Sequence, residues 1–430
     1  MRLRHQAISV GMACLALACS NQDDPTAPNP APQSEAAASP SLLLGWTSAG
    51  KRDLLTSYQG VDVYNSGYGS AVAMAPFGPR HFYLLTDRGP NIDFPDGNKG
   101  FPTPNYTPRV VTAHYILGKL YLDDTILLRR ADGTPLTGLP IGPGGCGSTG
   151  ETAFTLDGQA IPSDPQGLDS EGLVVMQDGS FWISDEYGPF LAKFDRRGRE
   201  QLRWSPCNGG LPAVYATRRP NRGMEGLTIT PNGKWLVGVM QAPLENPTPA
   251  GIRNISALTR ILFKNLTTGA TQEFAYLLDD PRSQGNSEIL ALSNTRFLVL
   301  ERDGNFLFGT PPATIKRIYE VDISDATDIS KLGALGASPI GGKTLEQATV
   351  AELLAAGIKP VTKRLKIDLV REGYTHDKPE GLALAPGNVL FISNDDDFGI
   401  GTSSPGVMLQ KVLPGTGKVD YVELFPIRLR

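Results

Sequence analysis

Beyond about residue 41, the chain is built from short apolar runs separated by glycine- and proline-containing turns. Runs of this kind read as strands rather than helices. One order of elements recurs: an acidic residue with Gly-Leu or a similar pair, an apolar strand, a glycine turn, a second apolar strand, then an acidic or Arg-Gly ending. The first copy runs from Gly69-Ser70-Ala71-Val72-Ala73-Met74 to Leu84-Leu85-Thr86-Asp87-Arg88-Gly89. The second runs from Glu171-Gly172-Leu173-Val174-Val175 to Ile183-Ser184-Asp185-Glu186-Tyr187-Gly188. Glu225-Gly226-Leu227 leads to Val237-Gly238-Val239-Met240-Gln241, and Glu288-Ile289-Leu290 leads to Leu300-Glu301-Arg302-Asp303-Gly304. Glu380-Gly381-Leu382 leads to Ile392-Ser393-Asn394-Asp395-Asp396-Asp397.

Further strand-like sequence follows several copies, such as Leu191-Ala192-Lys193-Phe194 and Ile318-Tyr319-Glu320-Val321. Each unit therefore reads as a four-stranded antiparallel meander. Radial repetition of such units gives an all-β fold, a β-propeller, which shields strand edges by packing blade on blade. Five repeats are clear, and the gaps before 171 and after 288 leave room for six or seven blades. A strand near Leu42–Trp46 is expected to join the last blade and close the ring. A β-sandwich would explain the alternation but not five copies of one motif.

Composition agrees with many turns. The chain has 430 residues, with 48 glycines and 35 prolines spread along it. Its formal charge of −4 and lack of a basic face argue against nucleic-acid binding.

The first residues read as a targeting device. Arg2 and Arg4 precede an apolar stretch from about Ala7 to Ala18 that is too short for a permanent span. Leu15-Ala16-Leu17-Ala18-Cys19-Ser20 resembles the lipobox of bacterial lipoproteins, with Ala16 where leucine is favoured. The resemblance implies a signal peptide over 1–18, lipidation of Cys19 and attachment to a membrane through the lipid alone. Ser20 after the cysteine implies the outer membrane; plain secretion or a periplasmic location is the alternative. Residues 19–41 read as a polar, disordered tether, and 42–430 as the folded domain. An exported compartment permits a disulfide between Cys146 and Cys207.

Repetition also concentrates chemistry. Four inner strands begin with glutamate: Glu171, Glu225, Glu288 and Glu380. Inner strands line the channel of a propeller, so these carboxylates are expected to converge. They repel one another unless a positive group sits among them. Calcium suits such a set, because it accepts many carboxylates in loose geometry. Zinc does not, since His81, His114 and His376 show no ligand spacing. The rival reading is structural: the glutamates bond backbone amides of a neighbouring blade or pair with Arg88, Arg222, Arg302 and Lys378. Basic groups beside a metal site also suit an anionic oxygen ligand.

No nucleophile elbow, Walker loop, dinucleotide fingerprint or zinc-protease helix is present. A hydrolase built from these residues would activate water rather than form a covalent intermediate. Asp185 and Glu186 are its candidate bases, and Arg88, Asn91, Arg222 and Arg302 its candidate substrate contacts.

Several motifs together resemble the bacterial family called esterase-like activity of phytase, or phytase-like domain. They are Asp87-Arg88-Gly89-Pro90-Asn91, Asp169-Ser170-Glu171-Gly172-Leu173, Ser184-Asp185-Glu186-Tyr187-Gly188-Pro189, Asn221-Arg222-Gly223-Met224-Glu225-Gly226-Leu227 and Lys378-Pro379-Glu380-Gly381-Leu382. The resemblance covers most of 45–425 and implies hydrolysis of a small anionic phosphate or carboxylic ester. The Glu-Gly-Leu starts are also similar to metal-bearing strands of calcium propeller hydrolases such as gluconolactonases and paraoxonases. Two readings of another kind stand beside it: a lactonase-like enzyme, and a non-catalytic envelope propeller that binds a sugar, peptide or protein. The stretches 132–168 and 325–362 are expected to be insertions that cover the channel.

Overall fold

Four of the five inner strands of the chain begin with an irregularity that sets side-chain direction. In a computed structural model the register shifts between Ser170 and Leu173, Met224 and Gly226, Asn286 and Glu288, and Pro379 and Leu382. Such bulges place an extra residue at a strand start and re-aim its side chain. Glu171, Glu225 and Glu380 sit in these bulges, whereas in blade 4 the extra residue is Ser287 and Glu288 pairs with Leu300. The structure describes residues 46–47, 53–76, 78, 81–116, 119–247, 256–280 and 285–429. The leader, Cys19, the tether and Leu42 lie outside them.

Five four-stranded antiparallel sheets follow one another along the chain. Blade 1 is Ala71–Met74, His81–Leu85, Arg109–Ile116 and Lys119–Leu127. Blade 2 is Ser170–Val175, Phe181–Asp185, Phe190–Phe194 and Glu200–Trp204. Blade 3 is Met224–Ile229, Trp235–Met240, Leu258–Asn265 and Thr271–Leu277. Blade 4 is Gly285–Ala291, Arg296–Arg302, Lys316–Asp322 and Thr362–Asp368. Blade 5 is Pro379–Ala385, Val389–Asn394 and Glu423–Arg428, completed on its outer edge by Trp46–Thr47 from the start of the fold. Trp46 pairs with Leu424, so the first and last strands of the fold close the ring in one sheet.

The inner strands touch in cyclic order, and blade 5 meets blade 1. Five apolar cores fill the five interfaces. Phe263, Phe274 and Val239 meet Ile289, Phe297 and Val299 between blades 3 and 4. Phe82 and Leu84 meet Ala383 and Phe391 across the closure. This is a five-bladed propeller. Among the described residues, the stretch before 171 holds no sixth blade. Outside blade 1, the described residues there carry a short turn of 3-10 helix, Pro95–Gly97, and a small sheet of two-residue strands, Ile92–Asp93, Lys99–Gly100, Ala153–Phe154 and Ala160–Ile161.

That small sheet joins two hairpins to form a cap. They are Leu54–Tyr58 with Val61–Tyr64, and Ile400–Ser404 with Val407–Gln410. Val63, Ile92, Tyr106, Phe398 and Ile400 give the cap its own core. The Asp93 amide donates to Thr402 Oγ1 at 2.8 Å and ties two parts of the cap together. The stretch 325–362 goes elsewhere. It carries a short helix, Val350–Ala355, and packs on blade 3 through Leu258, Ala275, Ile329 and Leu353.

Candidate functional site

The channel divides into two parts of different character. At one end the inner strands line a smaller space of about 270 Å³ with Val72, Leu173, Ile229 and Leu384, together with Thr228 and Glu288. At the other, beneath the cap, lies a polar cavity of about 540 Å³. Ten carboxylates and five basic side chains line the polar cavity. Blades 1, 2, 3 and 5 supply acids from the bulges and from the ends of their second strands. Asp93, Lys99, Gly401 and Thr402 of the cap close over them.

Three of the four repeat glutamates reach this cavity: Glu171, Glu225 and Glu380. Glu288 does not line it. Its Oε1 accepts the amides of Leu227 at 3.1 Å and Ile289 at 2.9 Å, so it bonds the backbone of the neighbouring blade. Glu186 lines the cavity, whereas Asp185 lies behind it, fully buried. Asp185 Oδ2 accepts the Asp169 amide at 2.8 Å and Oδ1 the Gly188 amide at 2.7 Å. Asp185 thereby fixes Asp169. Burial pushes its carboxyl up to about 7 despite those two bonds.

Asp169, Glu171 and Glu186 each bring a carboxylate oxygen within 4.8 Å of the others, and all three are buried. Burial raises all three carboxyls above their ordinary values, well above in the two glutamates; nearby acids add to this. Asp169 Oδ1 accepts the Arg88 amide at 3.2 Å, while Oδ2 has no hydrogen-bond partner. Its nearest counter-charge there is Arg88 Nε at 3.6 Å. Glu225 Oε1 accepts from Gln241 Nε2 at 2.6 Å, and its buried Oε2 also lacks a partner. Burial lifts Glu225 to about 7, against the pull of Arg302.

The basic residues differ in how occupied they are. Arg302 binds Glu380 and Ser287 Oγ, the latter at 2.7 Å, and lies 4.0 Å from Glu225. Burial opposes its charge, yet Glu380 and Glu225 hold the guanidinium above its ordinary value. Glu380 is raised to about 8, chiefly by burial, with Arg302 opposing. Arg88 is shared among Asp169, Glu151, Tyr187 and Asn221, with Nη1 3.3 Å from each of the last three. Arg222 is half-buried and donates to Gln241 Oε1 at 2.7 Å. Asn91 lines the cavity and donates to the Gly89 carbonyl at 3.0 Å.

Glu151 belongs to the stretch 132–168, which Cys146 and Cys207 clip to blade 2. Their disulfide spans a Cα separation of 6.1 Å. The expected bridge is therefore present.

Sequence reasoning passed over Asp87, Asn221, Gln241, Lys99 and the role of Asp169. Asp87, Asp169 and Asn221 stand inside the motifs already quoted. Gln241 follows the second strand of blade 3, the position that Glu186 and Asp395 hold near the ends of theirs. That shared position was the available signal. Lys99 comes from the cap, which has no repeat to reveal it.

Among relatives, a protein of Arthroderma benhamiae described as an uncharacterized secreted protein is 32% identical over 235 residues. That match covers 44% of this chain and 46% of the relative, so it spans less than half of the relative's length. Solved structures of low identity also align. An α-L-arabinofuranosidase from Podospora anserina in complex with cellotriose is 7% identical with TM-score 0.37, over 90% of this chain and 98% of its own. A putative 6-phosphogluconolactonase from Bacteroides fragilis is 11% identical with TM-score 0.35, over 92% of this chain and 99% of its own. Likeness of that degree bears on neither activity nor substrate. A sequence family does match: the chain belongs to the phytase-like family, described as esterase-like activity of phytase, over residues 66–398.

Proposed function

We propose that this chain is an exported, calcium-dependent hydrolase of small anionic esters, phosphate or carboxylic, working in the cavity beneath the cap. The carrying observation is the buried set Asp169, Glu171 and Glu186, whose oxygens lie within 4.8 Å of one another. Oxygens so spaced can share a hard cation at calcium's usual distances of about 2.3–2.6 Å. The donor set fits the ion: all oxygen, all buried, and with an Asp169 oxygen that makes no hydrogen bond among the described residues. Bound there, calcium would supply Lewis acidity toward an ester or phosphoryl oxygen.

The remaining roles fall to the protein. Arg222, engaged only with Gln241 among the described contacts, receives the substrate anion, beside Asn221 and Asn91. Arg88 and Arg302 are held by carboxylates and keep the cavity's acids apart. Glu225, with a free oxygen and a carboxyl raised to about 7, exchanges the proton of the reaction near neutral pH. Asp185 positions Asp169. The leader-like first residues, the lipobox-like sequence at Cys19 and a secreted relative support an envelope or extracellular location.

Purified mature protein is assayed on p-nitrophenyl phosphate and p-nitrophenyl acetate, with calcium and after chelation, while bound calcium is measured directly. Hydrolysis that chelator abolishes and calcium restores is expected. Equal rates in both remove the metal. A second reading is favoured by one observation: Arg302–Glu380 and the lysine pairs of blade 5 already neutralise much of the cavity. On that reading the chain is a non-catalytic propeller that binds a sugar, peptide or protein, and folded protein is inert on the whole panel.

A further inference from the structure

Behind the blade 5 wall of the cavity runs an unbroken series of charged groups. Lys378 and Asp395 line the cavity, and Lys378 Nζ donates to Asp395 Oδ2 at 2.9 Å. Lys378 also binds Asp397 Oδ1. The other Asp397 oxygen accepts from Lys411 Nζ at 2.7 Å. Lys411 in turn lies 2.9 Å from Asp377 and 3.3 Å from Asp420 Oδ2. Asp420, fully buried, meets His376 Nδ1 at 2.6 Å through its other oxygen. His376 Nε2 lies 3.3 Å from Glu423, whose side chain is partly exposed.

We propose that His376 is a positioning residue: as an imidazolium it holds Asp420 and, through Lys411 and Asp397, fixes Lys378 at the cavity wall. The proposal rests on the reading that this cavity binds the ligand. Its logic is charge balance. Five carboxylates, Asp377, Asp395, Asp397, Asp420 and Glu423, face two lysines in this buried region. Asp420 shares Lys411 with Asp377 and Asp397, and its Oδ2 makes no hydrogen bond. A neutral His376 leaves Asp420 to draw Lys411 toward itself. Asp397 then depends on Lys378 alone, and Lys378 leaves Asp395. Unpaired buried charge is expensive, so the series reorganises as a unit. The groups facing the ring from other elements are Asp420, Glu423 and Phe425, and Tyr374 packs on it from its own segment. Its own segment adds Asp377 and Lys378. Burial works against the imidazolium, but the two carboxylates raise His376 to about 9.

The test uses the whole mature chain with ¹⁵N-labelled histidine, following the His376 ring by NMR. In Lys378→Met the midpoint is expected to rise by a measurable fraction of a pH unit, because a cation is lost. In Asp397→Asn it is expected to fall, because Lys411 moves onto Asp420. Unchanged midpoints in both variants overturn the proposal. Kinetics give the second readout. His376→Gln is expected to raise KM for p-nitrophenyl phosphate about tenfold with kcat within about twofold. It should also abolish a fall in kcat/KM that the wild type shows as pH rises through about 9. An unaltered pH profile and KM in a folded variant overturn the proposal. Absence of hydrolysis in the wild type would defeat the hydrolase reading alone, and the NMR midpoints would still decide this one.

Discussion

Gly226 stands against Ile289 of the next blade so closely that a Cβ built on it would lie 2.5 Å from the Ile289 amide nitrogen. Gly172 meets the Leu227 amide at the same distance, and Gly381 meets Val72 at 2.6 Å. The glycine of the Glu-Gly-Leu repeat is thus the point where one inner strand touches the next. Backbone cannot yield there as a flexible side chain would. Gly226→Ala is expected to cost about 2–3 kcal/mol, the upper part of the overpacking range. Urea unfolding monitored by tryptophan fluorescence measures it. A loss below a few tenths would show that the strands can part.

Arg260 anchors the insertion over 325–362. Its Nη1 donates to Glu273 at 2.8 Å and to the Gly333 carbonyl at 2.9 Å, and its Nε donates to Glu346 at 2.9 Å. All three charged side chains are at most 1% exposed. Removing Arg260 leaves two carboxylates in the interior without their shared cation. Arg260→Met is expected to destabilise by about 3–5 kcal/mol, with calcium binding unchanged because the cluster lies outside the cavity. Calorimetry and equilibrium calcium binding report the two halves of that expectation.

The blades were legible because close-packed strands demand the same residues at the same places. The repeat marks the contact glycines and the apolar inner strands, and five copies give five blades. The cap was not legible. Its strands are two residues long in the small sheet, too short to carry a period. The site was half legible. Neighbours on a strand point to opposite faces, so Arg302 enters the cavity while Glu301 turns away to bind Tyr276 at 2.6 Å. Sequence names the acids but not which meet amides. Asp185 and Glu288 both read as site residues, and both spend their oxygens on backbone donors.

Cys146–Cys207 bears on the cavity through a short route. Arg218 donates to the Ser148 carbonyl at 2.8 Å, and Thr149 donates to Glu151 at 2.9 Å. Glu151 then pairs with Arg88 at 3.3 Å. The bridge joins residues 61 apart, a separation for which cross-linking contributes about 3–4 kcal/mol. Cys146→Ser with Cys207→Ser is expected to lose that stability and to weaken substrate binding through Arg88. Thermal unfolding and KM are the measurements. Full retention of both would detach the clip from the site.

Asp396 gives a stability effect with a definite sign. Its Oδ1 accepts the amides of Gly67 at 2.8 Å and Phe398 at 3.0 Å, while its buried Oδ2 has no partner. Burial raises the carboxyl to about 7, so the fold favours the neutral acid. A raised value contributes stability that is complete below the unfolded value and lost as pH rises through about 7. Asp396→Asn mimics the neutral form and keeps the accepting oxygen. Between pH 5 and pH 8 the wild type is expected to lose about 2 kcal/mol more than the variant. Guanidinium unfolding at the two pH values decides it, and parallel losses would refute the assignment.

Glu171 and Glu288 begin equivalent strands, and substituting each should have opposite consequences. Glu171 stands among acids in the cavity, its carboxyl raised well above normal by burial and by Glu225, Asp169 and Glu186. Without a cation its charge opposes folding. Glu171→Gln removes that repulsion, so the calcium-free protein should melt at the same temperature or higher. Calcium affinity should fall at least about tenfold, since one anionic ligand of the set is gone. Glu288 accepts two buried amides, and Glu288→Ala leaves both without a partner. Each unsatisfied donor costs about 1–3 kcal/mol, so this variant should be clearly less stable at every calcium concentration. Its calcium affinity should stay within about twofold of wild type, because the side chain never reaches the cavity. Melting curves with and without calcium, read beside calorimetric titration, separate the two. Loss of calcium affinity in Glu288→Ala equal to that in Glu171→Gln would restore a ring of four ligands.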